Sequence, residues 1–136
     1  MTVRTAAIII SVACVSQILG YWYALPGHLG EPSWSDHAQF HLVLSWIWIV
    51  GLNIAMLILA WGPLQKRERW AFWSLLIAFI FAQGGHFFAS LVVPTGRPEE
   101  WWYDYALGTM VLIFAIGLGV GWRALSRPAS ARLPQL

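Results

Sequence analysis

Four long apolar runs, separated by short breaks that hold most of the proline and most of the charge, constrain this chain more than any motif in it. A hydrocarbon layer about 30 Å thick takes roughly 20 apolar residues of helix to cross. Runs of that kind lie at 6–25, 37–61, 70–93 and 101–125. The breaks PGHLGEPSWSD, GPLQKRER and PTGRPEE carry the residues that end helices and turn chains. Hydrophobic residues make up 59% of the sequence and charged residues 10%, which is too apolar for an ordinary soluble domain. The expected fold is an all-α integral membrane protein, a single domain spanning 1–136. It should be an antiparallel bundle of four transmembrane helices, with 126–136 as a cytoplasmic tail.

The first run follows Arg4 and so invites comparison with a signal peptide. It continues through Gly20 to Leu25, longer than a signal core, and no small-x-small cleavage site follows, so the segment is expected to be a retained helix. Cys14 is the one cysteine, which leaves no intramolecular disulfide and no thiolate cluster to build. A small packing residue is the expected role.

Basic residues divide sharply between the breaks. Arg4, Lys66, Arg67, Arg69, Arg123, Arg127 and Arg132 fall on one side of the expected bundle, and only Arg97 falls on the other. Lys and Arg near helix ends are retained in the cytoplasm, so both termini are expected there, in a bacterial inner membrane. Glu31, Asp36, Glu99, Glu100 and Asp104 then lie outside, with Glu68 alone inside. The small net positive charge is thereby a topology signal, and no basic, aromatic-interleaved patch points to nucleic acid.

Ten tryptophans in so short a chain call first for an ordinary explanation. Trp22, Trp34, Trp61, Trp70, Trp73, Trp101, Trp102 and Trp122 sit near expected helix ends, where indole suits the headgroup level. Trp46 and Trp48 lie within helix two. By spacing Trp48 shares the face of His41, while Trp46 points to lipid or to another helix.

All four histidines belong to the outer side. His28 is in a loop and His37 opens helix two, with Asp36 read as its N-cap. His41 is one turn deeper, roughly 6 Å in at about 1.5 Å per residue, and His86 on helix three roughly 12 Å in. Residues three, four and seven apart share a helix face. That spacing aligns His37, His41, Ser45 and Trp48 on helix two, and Gln83, His86 and Ser90 on helix three. It also aligns Cys14, Gln17 and Tyr21 on helix one, and on helix four sets Asp104 over Gly108 and Tyr105 over Thr109. Polar groups within a bilayer face the bundle interior or a cavity, so these stripes are expected to converge in the outer half. The inner half offers little beyond Asn53. Solvation suffices to explain His28 and His37, whereas the depth of His41 and His86 favours function.

Three uses of such a pocket remain open. The preferred one binds a lipophilic, isoprenoid-like small molecule and transforms it by acid–base chemistry of isomerase, cyclase or hydrolase type. His41, His86 and Asp104 would be the catalytic groups, and Gln17, Tyr21, Ser45, Trp48, Gln83, Phe87 and Tyr105 would line the substrate. No cofactor is favoured. The second reading is a haem b held by His41 and His86, or a first-row transition metal held by His37, His41, His86 and Asp104. The third is a non-catalytic subunit of a homo-oligomer or larger membrane complex. Proton conduction fits less well, because the ionisable groups stop in the outer half. No HExxH motif, nucleophile elbow or nucleotide loop is present. Gly117 and Gly121 have the spacing of a close helix contact, and Gly84 with Gly85 could admit a neighbouring backbone or a ligand.

Overall fold

The computed structural model describes residues 1–92 and 101–127, with the side chains of His86, Phe87, Ser90, Trp101, Trp102, Tyr103 and Asp104 outside that description. Four helices follow in order: α1 Val3–Leu29, α2 Asp36–Trp61, α3 Arg69–Val92 and α4 Trp101–Ser126. Each packs on its neighbour in sequence, and α1 closes the ring by packing on α4.

Local chemistry sets the helix ends. Thr2 and Thr5 form a reciprocal cap, Thr5 N–H donating to Thr2 Oγ1 at 3.1 Å, and α1 therefore starts at Val3 instead of near Ala6. At its other end α1 runs through Pro26 to Leu29. Proline lacks an N–H and crowds the preceding turn, yet only one turn remains, and Gly30 N–H closes it by donating to Pro26 O at 3.1 Å. The cap of α2 is Ser35 and not Asp36. Ser35 Oγ accepts from Ala38 N–H at 3.2 Å, which places Asp36 in the first turn, where the positive end of the helix dipole favours a carboxylate.

Cross-helix contacts fix the directions. Trp61 Nε1 donates to Ser11 Oγ at 2.8 Å while Trp22 meets Trp46, so α1 and α2 are antiparallel. Phe72 meets Trp122 and Phe79 stacks on Phe114, so α3 and α4 are antiparallel as well. Ile10 against Gly117 and Ala6 against Gly121 give α1 and α4 the same relation. The bundle is thus up-down-up-down, with the N-terminus, the C-terminal end of α4 and the α2–α3 loop at one end, called here the termini end, and the α1–α2 loop at the other.

Burial is concentrated at the termini end. Ala6, Ala7, Ile10, Ala13 and Cys14 of α1 meet Met56, Ala60 and Leu64, then Ala71, Phe72 and Leu75, and then Phe114, Leu118 and Leu125 of α4. Small residues let the backbones approach. A Cβ built at Gly117 would stand 2.8 Å from Ile10 Cγ1 and 3.3 Å from Ile10 N, so glycine there is a condition of the α1–α4 contact. Cys14 is a fully buried member of this core.

The α2–α3 loop locks the same end. Arg67 adopts φ 64°, a left-handed conformation costly for a side chain with a Cβ. That turn delivers Nη2 to the carbonyls of Ala124 at 2.7 Å, Leu125 at 3.3 Å and Arg127 at 3.1 Å. A cation thereby caps the negative end of α4 from another segment. Gln65 Nε2 reaches across to Val3 O at 3.3 Å, joining the loop to α1.

Outside, the bundle presents an apolar surface that includes Ile8, Val12, Leu19, Ile54, Ile58, Ile77 and Ile116. Three helices, Val3–Leu29, Asp36–Trp61 and the Tyr105–Ser126 part of α4, are long and apolar enough among the described residues to span a membrane. Apolar outer faces on helices of that length point to a lipid bilayer as the surroundings.

Candidate functional site

Toward the end away from the termini the side chains grow bulky. α1 carries Tyr21, Trp22 and Tyr23, α2 carries Phe40, Trp46 and Trp48, and α3 carries Phe81 and Phe88. Most of these side chains turn outward, Trp48, Phe81 and Phe88 among them. Between α2 and α3 lies an open groove of about 780 Å³, lined by Ser45, Ile47, Trp48, Ile49, Gly51 and Leu52 on one side and Phe81, Ala82 and Gly85 on the other. Tyr21 of α1 also reaches it. Its walls are almost wholly apolar, and Trp48 is 71% exposed along it. The groove is a cleft open along the outside of the bundle and not an enclosed cavity.

Above the groove stand His37 and His41, one turn apart on α2. Their Nε2 atoms are 3.2 Å apart with the rings edge-on, so one nitrogen donates and the other accepts. Ser45 Oγ, one turn below, donates to His41 O at 2.8 Å, the back-bond a helical serine makes to the preceding turn. Both histidine rings are exposed at the rim. His28, expected in a loop, lies instead in the last turn of α1, which runs on to Leu29, and stacks on Trp34 of the α1–α2 loop with centroids 5.6 Å apart.

Below the rim lies a layer of buried amides. Gln17 is 2% exposed, Asn53 0% and Gln83 4%. Asn53 Nδ2 donates both to Ile49 O at 2.9 Å and to Gln17 Oε1 at 3.0 Å. The carbonyl of Ile49 fixes which way the asparagine amide points, because the flipped amide would set oxygen against oxygen. Gln17 must then offer its oxygen. What remains without a hydrogen bond among the described residues is a donor, Gln17 Nε2, and two acceptors, Asn53 Oδ1 and Gln83 Oε1. Each such atom costs about 1–3 kcal/mol when buried away from a partner. Trp46 Nε1 is a further buried donor of this kind, seven residues from Asn53 and so on the same face of α2.

The residues singled out from the sequence thus fall into groups. His37, His41 and Ser45 are joined at the rim, while Tyr21, Ser45 and Trp48 share the groove. Gln17 and Gln83 are buried, the former bonded to Asn53. Tyr105 lies exposed on α4. The side chains of His86, Phe87 and Asp104 lie outside the described residues, and with them the expected meeting of His41, His86 and Asp104. Of the two mid-helix tryptophans it is Trp46 that turns inward, 5.4 Å from Trp22, whereas Trp48 faces out along the groove. The part of Asn53 was not read from the sequence. The usable signal was a single amide within an otherwise apolar run, which a bilayer tolerates only when it faces a partner.

Two histidines could give a metal two nitrogen donors, but among the described residues no group of three or more His, Cys, Asp or Glu comes together. The chain matches no protein-family model, no curated protein and no solved structure. Its class therefore rests on its own architecture, a four-helix bundle with the apolar spans of a multi-pass membrane protein.

Proposed function

We propose that this chain binds a lipophilic small molecule in the groove between α2 and α3, from within the bilayer. The observation that carries this reading is an apolar groove of about 780 Å³ whose described lining has Tyr21 and Ser45 as its polar side chains, with the bonded His37–His41 pair beginning one turn above Ser45 on α2. An apolar wall with a few convergent polar groups is the usual make-up of a small-molecule site. His41 stands where a bound molecule could exchange a proton with the His37–His41 pair, and this is the place for acid–base turnover if the molecule is transformed.

Gly85 provides the test. Gly85 lines the groove and a Cβ there meets nothing within 4 Å, so Gly85→Phe is the substitution chosen to fill it. Native mass spectrometry of the purified protein should find a small lipophilic molecule retained in near-stoichiometric amount by the wild type and absent from Gly85→Phe. Equal retention by both proteins, or none by either beyond bulk lipid, would remove the groove as the binding site.

The orientation is proposed on charge. Arg4, Lys66, Arg67, Arg69, Arg123 and Arg127 gather at the termini end, and that end is assigned to the cytoplasm. In a Cys14→Ser background an impermeant thiol reagent on intact cells should label Gly30→Cys and spare Gln65→Cys. The reverse pattern would invert the assignment.

A further inference from the structure

His37 and His41 occupy the first two turns of α2, four residues apart and so on one face of the helix. Their Nε2 atoms lie 3.2 Å apart while the ring centroids lie 4.5 Å apart, so the rings turn their Nε2 edges toward each other. Phe40 packs edge-on against the His41 ring, with centroids 5.6 Å apart, and restrains it. Both imidazoles are exposed. A hydrogen bond between two exposed imidazoles competes with water at each nitrogen and adds little to stability. The fold therefore does not require the pair.

Two nitrogens at this spacing have a second use. Imidazole is a donor suited to first-row divalent ions such as copper, nickel and zinc. Metal–nitrogen bonds of about 2.0–2.1 Å that meet at about 100° set their nitrogens roughly 3.1 Å apart, and the 3.2 Å between the two Nε2 atoms matches that separation. Histidines at i and i+4 are also the spacing by which one helix face grips one ion. The pair is bonded through one N–H, and that proton must leave before both nitrogens can coordinate. Moving it from Nε2 to Nδ1 of the same ring frees both Nε2 lone pairs and leaves both imidazoles neutral. The positive end of the α2 dipole opposes a cation in the first turn, and the Asp36 carboxylate in that turn offsets it.

We propose that His37 and His41 form a bidentate site for a divalent first-row transition ion at the rim of the bundle. Among the described residues no third His, Cys, Asp or Glu joins them, so water completes the coordination and the site stays open. Copper(II) binds more tightly than nickel(II) or zinc(II), following the general order for nitrogen donors. Magnesium and calcium, which take oxygen ligands, do not bind. The site needs the histidine pair alone and is independent of any molecule in the α2–α3 groove.

The test uses the full chain, purified in detergent without a polyhistidine tag and titrated with nickel(II) by isothermal titration calorimetry. The wild type should take up one nickel ion per chain and give no heat with magnesium. His37→Ala and His41→Ala should each weaken nickel binding at least tenfold, a step of about 1.4 kcal/mol. Both rings are exposed, so these variants keep the fold. His28→Ala, whose ring stacks on Trp34, and Gly85→Phe, which fills the groove, should bind nickel as the wild type does. Electron paramagnetic resonance of the copper(II) complex supplies a second readout, with hyperfine coupling from two imidazole nitrogens in the wild type and from one in each single variant. Absence of nickel binding by the wild type would overturn the proposal. So would a loss confined to His41→Ala, which would assign the ion to another donor set, or binding that survives in both single variants.

Discussion

The two ends of this bundle are built from the same four helices and solve different problems. At the termini end Ala6, Ala7, Ala13, Gly117, Gly121 and Ala124 bring backbones together, and Arg67 fastens the loop to the carbonyls of α4. At the histidine end Tyr21, Trp48 and Phe81 flank a groove, and the buried polar atoms there are only partly answered. Lipid tails are as apolar as a leucine side chain, so burial alone does not drive helices together in a bilayer, and close packing does. Small residues therefore account for the closed end, where the buried core is concentrated. At the other end Trp48 and Phe81 turn mostly outward and leave the groove open between α2 and α3.

The comparison is broken most easily at glycine. Gly117→Leu should separate α1 from α4 and cost about 3 kcal/mol, the upper part of the overpacking range, because the new Cβ meets Ile10 side chain and backbone together. Gly85→Leu, with nothing within 4 Å of its Cβ, should change stability by about 0.5 kcal/mol or less. Thermal unfolding of the two variants in one detergent measures the difference, and equal losses would mean that the ends are not packed differently.

Truncation sharpens the same contrast. Phe114 is 2% exposed and stacks on Phe79 with centroids 4.8 Å apart, so Phe114→Ala should leave a cavity costing roughly 3 kcal/mol. Trp48→Ala removes a larger side chain and should cost about 0.5 kcal/mol or less, since the indole lies along an open groove. Denaturant titration of each variant checks the order.

Arg67 gives a smaller effect with a specific cause. Arg67→Gly deletes the guanidinium that caps α4 but also relieves the φ of 64°, so the two effects partly offset and the net loss should be about 1 kcal/mol. Arg67→Ala keeps the unfavourable backbone and should lose more. His41→Ala, which removes an exposed ring, should stay within about 0.5 kcal/mol of the wild type. A destabilisation by His41→Ala as large as that of Arg67→Gly would show that the rim carries structure.

The four helices were legible because length, hydropathy and breaker residues act locally, and their ends shifted only where a cap intervened, as Thr2 did for α1 and Ser35 for α2. That α4 makes a close helix contact was legible from Gly117 and Gly121, since small residues at that spacing let backbones approach, but that α1 is the partner came only from the structure. The site was legible in part. Helical spacing correctly set His37, His41 and Ser45 on one face. Spacing alone does not give the rotation of one helix against another, and for that reason the sequence left the bond between Gln17 and Asn53 unread. For Trp46 the sequence left two choices, lipid or another helix, and the structure gives the second, against Trp22 of α1.

The central claim is that an apolar molecule enters the bundle on the α2–α3 side of the open end, and nowhere else on its apolar surface. Photolabelling with a diazirine-bearing alkyl probe in nanodiscs, mapped by peptide mass spectrometry, reads this directly. The account predicts adducts concentrated at Trp48, Leu52, Phe81 and Ala82, and their loss in Gly85→Phe. Adducts spread evenly over those positions and the lipid-facing Ile8, Val12, Ile58 and Ile116 would contradict it.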